Sequence, residues 1–269
     1  MTPVLAAAEY GGDFSSAFDN IGALFNFPPI IELSIGGLDL SINRTILIAL
    51  LMNTVAFLLL FLAFRNAKVV PGKLQAAGEL VVDFVRSMAI DIIGPRGVKF
   101  VPLLTTLFVG IFFLNLAKIT PFIMLPPTGL IAWPAFLALI SWVVYIGVGI
   151  KEHGLGYFKA VLFPSGVPWV MYFLLTPIEF LSNFILRPIT LALRLFANMV
   201  AGHILVVLTL VTVHVFLYFP DLRPSFFIGV FGLFASPFVM GFELAIIALQ
   251  AYIFTLLTAV YIDSSIETH

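Results

Sequence analysis

A chain of 269 residues of which 61% are hydrophobic and 10% charged, with a mean hydropathy of +1.14, is far more apolar than soluble domains, which average roughly 45–50% apolar and 25% charged. It reads as an integral membrane protein whose helices pack into one unit. A formal net charge of −1 points to neither nucleic acid nor an acidic substrate, and the absence of cysteine excludes disulfides, thiolate metal sites and cysteine nucleophiles.

Residues 1–44 carry Glu9, Asp13, Asp19, Glu32 and Asp39 against one basic residue, Arg44. No basic run leads there into an apolar core with a small-residue cleavage site, so no cleavable signal peptide is expected. The first uncharged apolar run is 45–64, long enough at 1.5 Å per residue to cross the ~30 Å hydrocarbon core. Arg65, Lys68 and Lys73 follow at once. By the positive-inside bias that end is cytoplasmic, which leaves 1–44 as an extracytoplasmic segment and 45–269 as a single membrane domain.

Between 71 and 94, Gln75, Glu79, Asp83 and Arg86 recur at helical spacing as one polar stripe, with Leu80, Phe84 and Met88 opposite. The pattern fits a helix lying along the membrane surface. An amphipathic connector in a protein-covered position fits it equally. GPRGVKF then breaks the chain before an outward span at 101–123, which contains Asn115 and Lys118. Lys118 is close enough to the outer end to snorkel, and Asn115 suits a bond across helices, so both read as structural. A charge-free turn, MLPPTG, leads to a returning span at 130–150, beyond which lie Lys151, Glu152, His153 and Lys159, with KEH read as a solvated loop.

Segment 169–218 would be ~75 Å long if helical, more than twice what an upright span needs. It either folds into two spans near Arg187 and Pro188 or forms one long, strongly tilted helix. No glycine or asparagine turn lies between Leu186 and Leu195, and a lone proline only kinks a membrane helix, so one long helix is expected. YFPDLRP marks a turn, and 225–262 forms another overlong helix interrupted by Pro237, Gly241 and Glu243. The fold expected is an all-α, polytopic membrane protein. It has about five membrane-embedded helices plus one amphipathic surface helix, and the last two membrane helices form a long tilted hairpin.

That hairpin holds Arg194 and His203 in a chain otherwise built to exclude charge. A fixed cation at membrane depth costs about 2.5–3.5 kcal/mol, so it faces an interior, a water-filled cavity or a partner. Snorkelling to lipid phosphates is the alternative. If the hairpin turns near Leu222, Arg194 falls level with Gln250 and His203 with Glu243. On a straight helix Glu243 and Gln250 lie about 20° apart and share a face, as do His203 and His214, whereas Arg194 and His203 lie about 180° apart. Arg194 thus suits an external partner and His203 an internal channel.

The runs PIEFLSNFILRPITLALRLFANMVAGH and FELAIIALQAYIFTLLTAVYI resemble subunit a of F-type ATP synthases, the stator of the membrane-embedded proton motor. GPRGVKFVPLLTTLFVGIFFLNLAKITPF resembles the third-helix region of that family, so the likeness spans about Gly94 to Ile262. The first ninety residues match mainly in layout.

This resemblance implies two long tilted helices set against a rotating ring of c subunits, with two offset proton half-channels coupling proton flow to rotation and ATP synthesis. Arg194 matches the family's essential arginine, Gln250 its neighbour on the last helix, and Asn198 the nearby asparagine. His203 and Glu243 occupy the two channel positions in the order exchanged relative to many bacterial members. Glu179 resembles a further acid whose distance from the arginine varies in the family. His214 is taken as supporting, from its shared face with His203. The implied partners are the c ring, peripheral-stalk b subunits, the F1 sector indirectly, lipid and protons, with no nucleic acid. No cofactor or metal is implied, and the chain is not an enzyme on its own. Its expected place is a bacterial plasma membrane, N-terminus outside and C-terminus cytoplasmic.

A secondary proton or cation transporter would also place Arg, Glu and His at depth, but should show inverted repeats or paired broken helices. The sequence shows no convincing self-similarity. Neither HExxH nor GxxxxGK[ST] occurs, so neither an intramembrane metalloprotease nor a phosphate-loop nucleotide site is supported.

Overall fold

The computed structural model describes residues 29–31, 34–35, 38–39, 42–120, 123, 126–154, 156–163, 169–218 and 226–267. Most of the segment 1–44, the turn around Leu222 and the side chain of His214 lie outside the described residues. Among the described residues, four very short strands precede the helix that starts at Arg44: β1 (Pro29–Ile31), β2 (Ser34–Ile35), β3 (Leu38–Asp39) and β4 (Ile42–Asn43), in two antiparallel pairs, β1 with β4 and β2 with β3. Every other regular element among the described residues is helical.

Asn43 starts α1 (Arg44–Phe64) by accepting a hydrogen bond from the Ile46 amide at 3.2 Å, which satisfies one of the orphan donors of the first turn. Then come α2 (Lys73–Ile93), a 3₁₀ stretch (Gly94–Phe100) and α3 (Val101–Leu116). Gly94, at φ 73°, makes the left-handed turn that ends α2. The polar stripe of α2 does not face outward as a whole. Gln75 is buried, hydrogen-bonded to the Lys68 amide and carbonyl and to Glu79, while Leu80 and Phe84 are exposed. On its inner side α2 packs against α1 and α3.

The span expected at 101–123 ends as a helix at Leu116. Pro121 disfavours helical geometry at Thr120, and the chain tightens first, with the Lys118 amide bonded to the Asn115 carbonyl at 3.1 Å. The return span is α4 (Ala132–His153), closed by Gly154 at φ 61°. Lys151, Glu152 and His153 are therefore its last turn, exposed to solvent but helical rather than a loop. A short α5 (Gly156–Leu162) follows.

From Trp169 to Tyr218 the backbone stays helical throughout, as α6 (Trp169–Phe180), one π-helical stretch (Leu181–Leu186) and α7 (Arg187–Tyr218). The long continuous helix forms, and the two-span alternative does not. The π stretch has a local cause. Pro188 has no N–H to give the Phe184 carbonyl, and the Arg187 amide bonds back to the Ser182 carbonyl, which bypasses Asn183. Both stranded carbonyls are met by α4 side chains: Trp142 Nε1 donates to Phe184 O at 3.1 Å and the Tyr145 hydroxyl donates to Asn183 O at 2.7 Å.

The last helix, α8 (Phe226–Ile266), runs four residues past the expected end. At Pro237 the stranded Leu233 carbonyl accepts from Ser236 Oγ at 3.1 Å. α7 and α8 are antiparallel, with Gly202 against Glu243 and Gly232 against Val213. α8 is the central element, packed on α7, α3, α4 and α2. One core joins Val85, Leu104, Tyr145, Ala259 and Ile262, and another joins Ile111, Ala138, Leu191, Leu195, Ala251 and Phe254. Thr255 and Thr258 lie fully buried on α8 and return their hydroxyls to the carbonyls four residues back.

Among the described residues, five helical segments are long and apolar enough to cross a membrane: Arg44–Phe64, Lys73–Leu116, Ala132–His153, Met171–Val213 and Gly229–Ile266. The chain is an all-helical polytopic membrane protein apart from the short N-terminal ladders.

Because a buried carbonyl left without a donor costs about 1–3 kcal/mol, Trp142→Phe and Tyr145→Phe are each expected to lower the melting temperature of the purified protein in detergent. The double variant should lower it further. An unchanged melting temperature in the double variant would show that the π stretch does not depend on these donors.

Candidate functional site

The α7–α8 hairpin presents two different polar arrangements on opposite sides. On the outward side of α7, Thr190, Arg194, Ala197, Ala201, Leu205 and Leu208 recur at steps of three and four and are all exposed. Arg194 is the only charge in this row, and it makes no hydrogen bond or ion pair among the described residues. On α8 the neighbouring outward surface carries Phe231, Phe234, Phe238, Phe242 and Leu249. The cation thus stands on a broad apolar face, with small side chains at Ala197 and Ala201 beside it.

The inward side holds a buried polar cluster. His203 is buried on α7, nine positions from Arg194 and on the opposite side of the helix, as the helical period requires. Glu243 and Gln250 are both buried on α8, sharing one face. Glu243 is 1% exposed, and its Oε2 is ion-paired with Lys118 Nζ, which reaches in from the turn after α3. Gly202 makes this possible. A Cβ there would fall 2.5 and 2.7 Å from the two Glu243 carboxylate oxygens and would also strike Lys118 Nζ. The Glu243 carboxylate therefore lies against the α7 backbone one residue from His203. Beside this group Asn115 accepts from Thr128 Oγ1 at 2.7 Å, with both side chains buried.

Lys118 corrects the sequence expectation. It does not snorkel outward but turns inward, with a side chain 0% exposed, because the helix carrying it stops at Leu116 and the glycine opposite leaves a recess. The other expected residues are distributed as follows. Gln250 is level with Arg194 but faces the interior, and its Nε2 has no hydrogen-bond partner among the described residues. Asn198, one turn after Arg194, is half-buried. Glu179 lies on α6 beyond the π stretch, where its carboxylate accepts from Asn183 Nδ2 at 2.7 Å. Fifteen positions of helix separate it from Arg194, roughly 22 Å, so the two are not brought together. The side chain of His214 lies outside the described residues. Among those residues no group of three or more His, Asp or Glu side chains is arranged to hold a metal ion.

Residues 45–263 match the family described as the ATP synthase A chain. The chain is 42% identical over 244 residues to ATP synthase subunit a of Rhodococcus erythropolis, covering 90% of this chain and 88% of the relative. It is 37% identical over 268 residues to ATP synthase subunit a of Frankia alni, covering 98% and 89%. With the corresponding subunit of Pseudarthrobacter chlorophenolicus the identity is 41% over 225 residues, covering 81% and 83%. The chain belongs to the ATP synthase A chain family. As a family member it is a non-catalytic membrane subunit that takes part in proton translocation coupled to rotation of the ATP synthase. Its partnership with that complex follows from the same membership.

Gly202 and Lys118 are the members of the site that reading the sequence missed. The signal available was a glycine directly before a buried histidine and a lysine near a helix end, neither of which identifies the other. Overpacking a well-filled site costs about 1–3 kcal/mol, so Gly202→Ala is expected to reduce both the yield of assembled complex and its proton flux. Wild-type yield and flux in Gly202→Ala would show that the recess is not tight.

Proposed function

We propose that Arg194 is the charge that faces the rotating ring of c subunits, and that His203 and Glu243 line the outer of two proton half-channels. The observation that carries the reading is the contrast within α7. The helix exposes Arg194 on an apolar face and buries the His203 imidazole on the other side, level with a carboxylate from α8. Ala197 and Ala201 support close approach of a partner helix next to Arg194.

The chemistry then follows from charge in a low dielectric. A ring carboxylate surrounded by lipid stays neutral, since burying an isolated charge is costly. It ionises beside the guanidinium, which holds its proton at all working pH values. Because Arg194 does not relay a proton, it keeps the two half-channels apart. Protons from outside reach the ring through Glu243 and His203, whose carboxyl and imidazole both exchange protons. One elementary charge crossing 100 mV supplies about 2.3 kcal/mol for rotation. Gln250 and Asn198 furnish polar groups near Arg194, while Glu179 and His214 serve the path at its ends.

In this reading 1–44 lies outside a bacterial plasma membrane, 45–269 forms one membrane domain and the C-terminus is cytoplasmic. α2 lies along the membrane surface, and α7 and α8 are strongly inclined. Contacts with b subunits, and with F1 only indirectly, complete the assembly.

Arg194→Ala is expected to abolish proton-driven ATP synthesis in reconstituted vesicles and to open a passive leak. Arg194→Lys should not restore synthesis, because a buried ammonium can lose its proton and lacks the planar fork. Normal synthesis by assembled Arg194→Ala complexes would sink the assignment. His203→Ala and Glu243→Ala should each slow passive flux, and the double variant should lose much less than the two free-energy losses combined. Strictly additive losses would mean that the two residues do not share a path.

A further inference from the structure

Lys118 has no part in the half-channel reading above, yet it occupies the centre of that site. Its ammonium is paired with Glu243, both side chains are sealed from solvent, and the pair is pressed against Gly202. Ala117, immediately before it, is fully buried, and Asn115 is tied to Thr128 at 2.7 Å, so the turn bearing the lysine is anchored inside the bundle. The charged and titratable groups meeting here come from three elements: Lys118 after α3, His203 on α7 and Glu243 on α8.

An ammonium and a carboxylate so far from water persist only as a pair. A buried glutamate alone would rest as a neutral acid with its carboxyl free to turn. Beside Lys118 it is an anion with one oxygen fixed. We propose that Lys118 is a positioning residue of the proton path, holding the Glu243 carboxylate as an oriented anion against Gly202 and next to His203. This rests on the reading of His203 and Glu243 as the outer half-channel. A proton arriving at Glu243 forms an O–H bond and leaves the ammonium without its countercharge. Transfer of that proton to the His203 imidazole restores the carboxylate and the ion pair. The unpaired ammonium thus drives the proton onward and keeps Glu243 from trapping it.

The test uses whole complexes, stripped of F1 and reconstituted in liposomes, with passive proton flux driven by a potassium diffusion potential and assembly followed by co-purification of the ring. In Lys118→Met the flux is expected to fall by about tenfold or more. Lys118→Arg, which keeps the charge and cannot release a proton, should restore it to within about threefold of wild type. Infrared difference spectra against Glu243→Gln should show a protonated carboxyl band in Lys118→Met and none in wild type, a change that loss of packing alone does not produce. Wild-type flux in assembled Lys118→Met, with Glu243→Gln impaired, overturns the role of Lys118 and leaves the half-channel reading standing. Wild-type flux in Glu243→Gln overturns the half-channel reading and the lysine's role with it. Should Lys118→Met fail to assemble, the charge-exchanged variant Lys118→Glu with Glu243→Lys decides. Flux within about tenfold of wild type supports the proposal, and assembly without flux reduces the pair to a packing element.

Discussion

Hydrocarbon offers no hydrogen-bond partner, so every polar group at membrane depth must be answered from within the protein or by another chain. That constraint accounts for most of the specific contacts in this structure. The carbonyls stranded by Pro188 are met by Trp142 and Tyr145, the carbonyl stranded by Pro237 is met by Ser236, and buried threonines return their hydroxyls to their own helix. Glu243 and Lys118 answer each other across 125 residues of chain. Arg194 stands apart, since no described residue pairs with it. A guanidinium on an apolar face with no partner among the described residues is the group that the proposed contact with another chain would answer.

The π stretch connects this constraint to the site. A proline in a regular helix would leave one carbonyl bare and kink the axis. Here the backbone widens by one residue, and α4 supplies two donors instead of one. The helix continues through 169–218 with Arg187–Tyr218 set against α8 along its whole course. The rotation of α7 about its own axis, and hence which side Arg194 and His203 face, is fixed partly by this turn. Trp142 and Tyr145 thus brace the turn that leads into the length of α7 carrying Arg194 and His203.

The parts legible in the sequence were those governed by local periodicity. Apolar runs of membrane length gave the five spanning segments, and the helical repeat placed Arg194 and His203 on opposite sides and Glu243 and Gln250 on one. Hairpin geometry put His203 at the level of Glu243 even though the turn near Leu222 lies outside the described residues. What stayed hidden depends on pairings between distant elements. Nothing local to Lys118 distinguishes a lysine that snorkels from one that turns inward. The choice is made by where α3 ends, set by Pro121, and by a missing Cβ on another helix. Gln75 is a similar case, since its inward turn depends on the backbone at Lys68 rather than on the stripe to which it belongs.

Placing the two sets of ionisable groups on opposite sides of one helix has a physical consequence. The helix backbone between Arg194 and His203 has its polar groups engaged in its own ladder and conducts no protons, so the two faces communicate only around the helix or along its length. On the proposed path, a proton loaded on the buried side has to pass around α7 to reach the exposed face. The small residues Ala197, Ala201 and Gly202 lie along that stretch of α7, between the level of Gln250 and that of Glu243. Ala197 and Ala201 leave room beside Arg194 on the exposed face, while the space at Gly202 on the buried face is filled by the Glu243 carboxylate, so the two faces of the proposed site meet within one short length of helix.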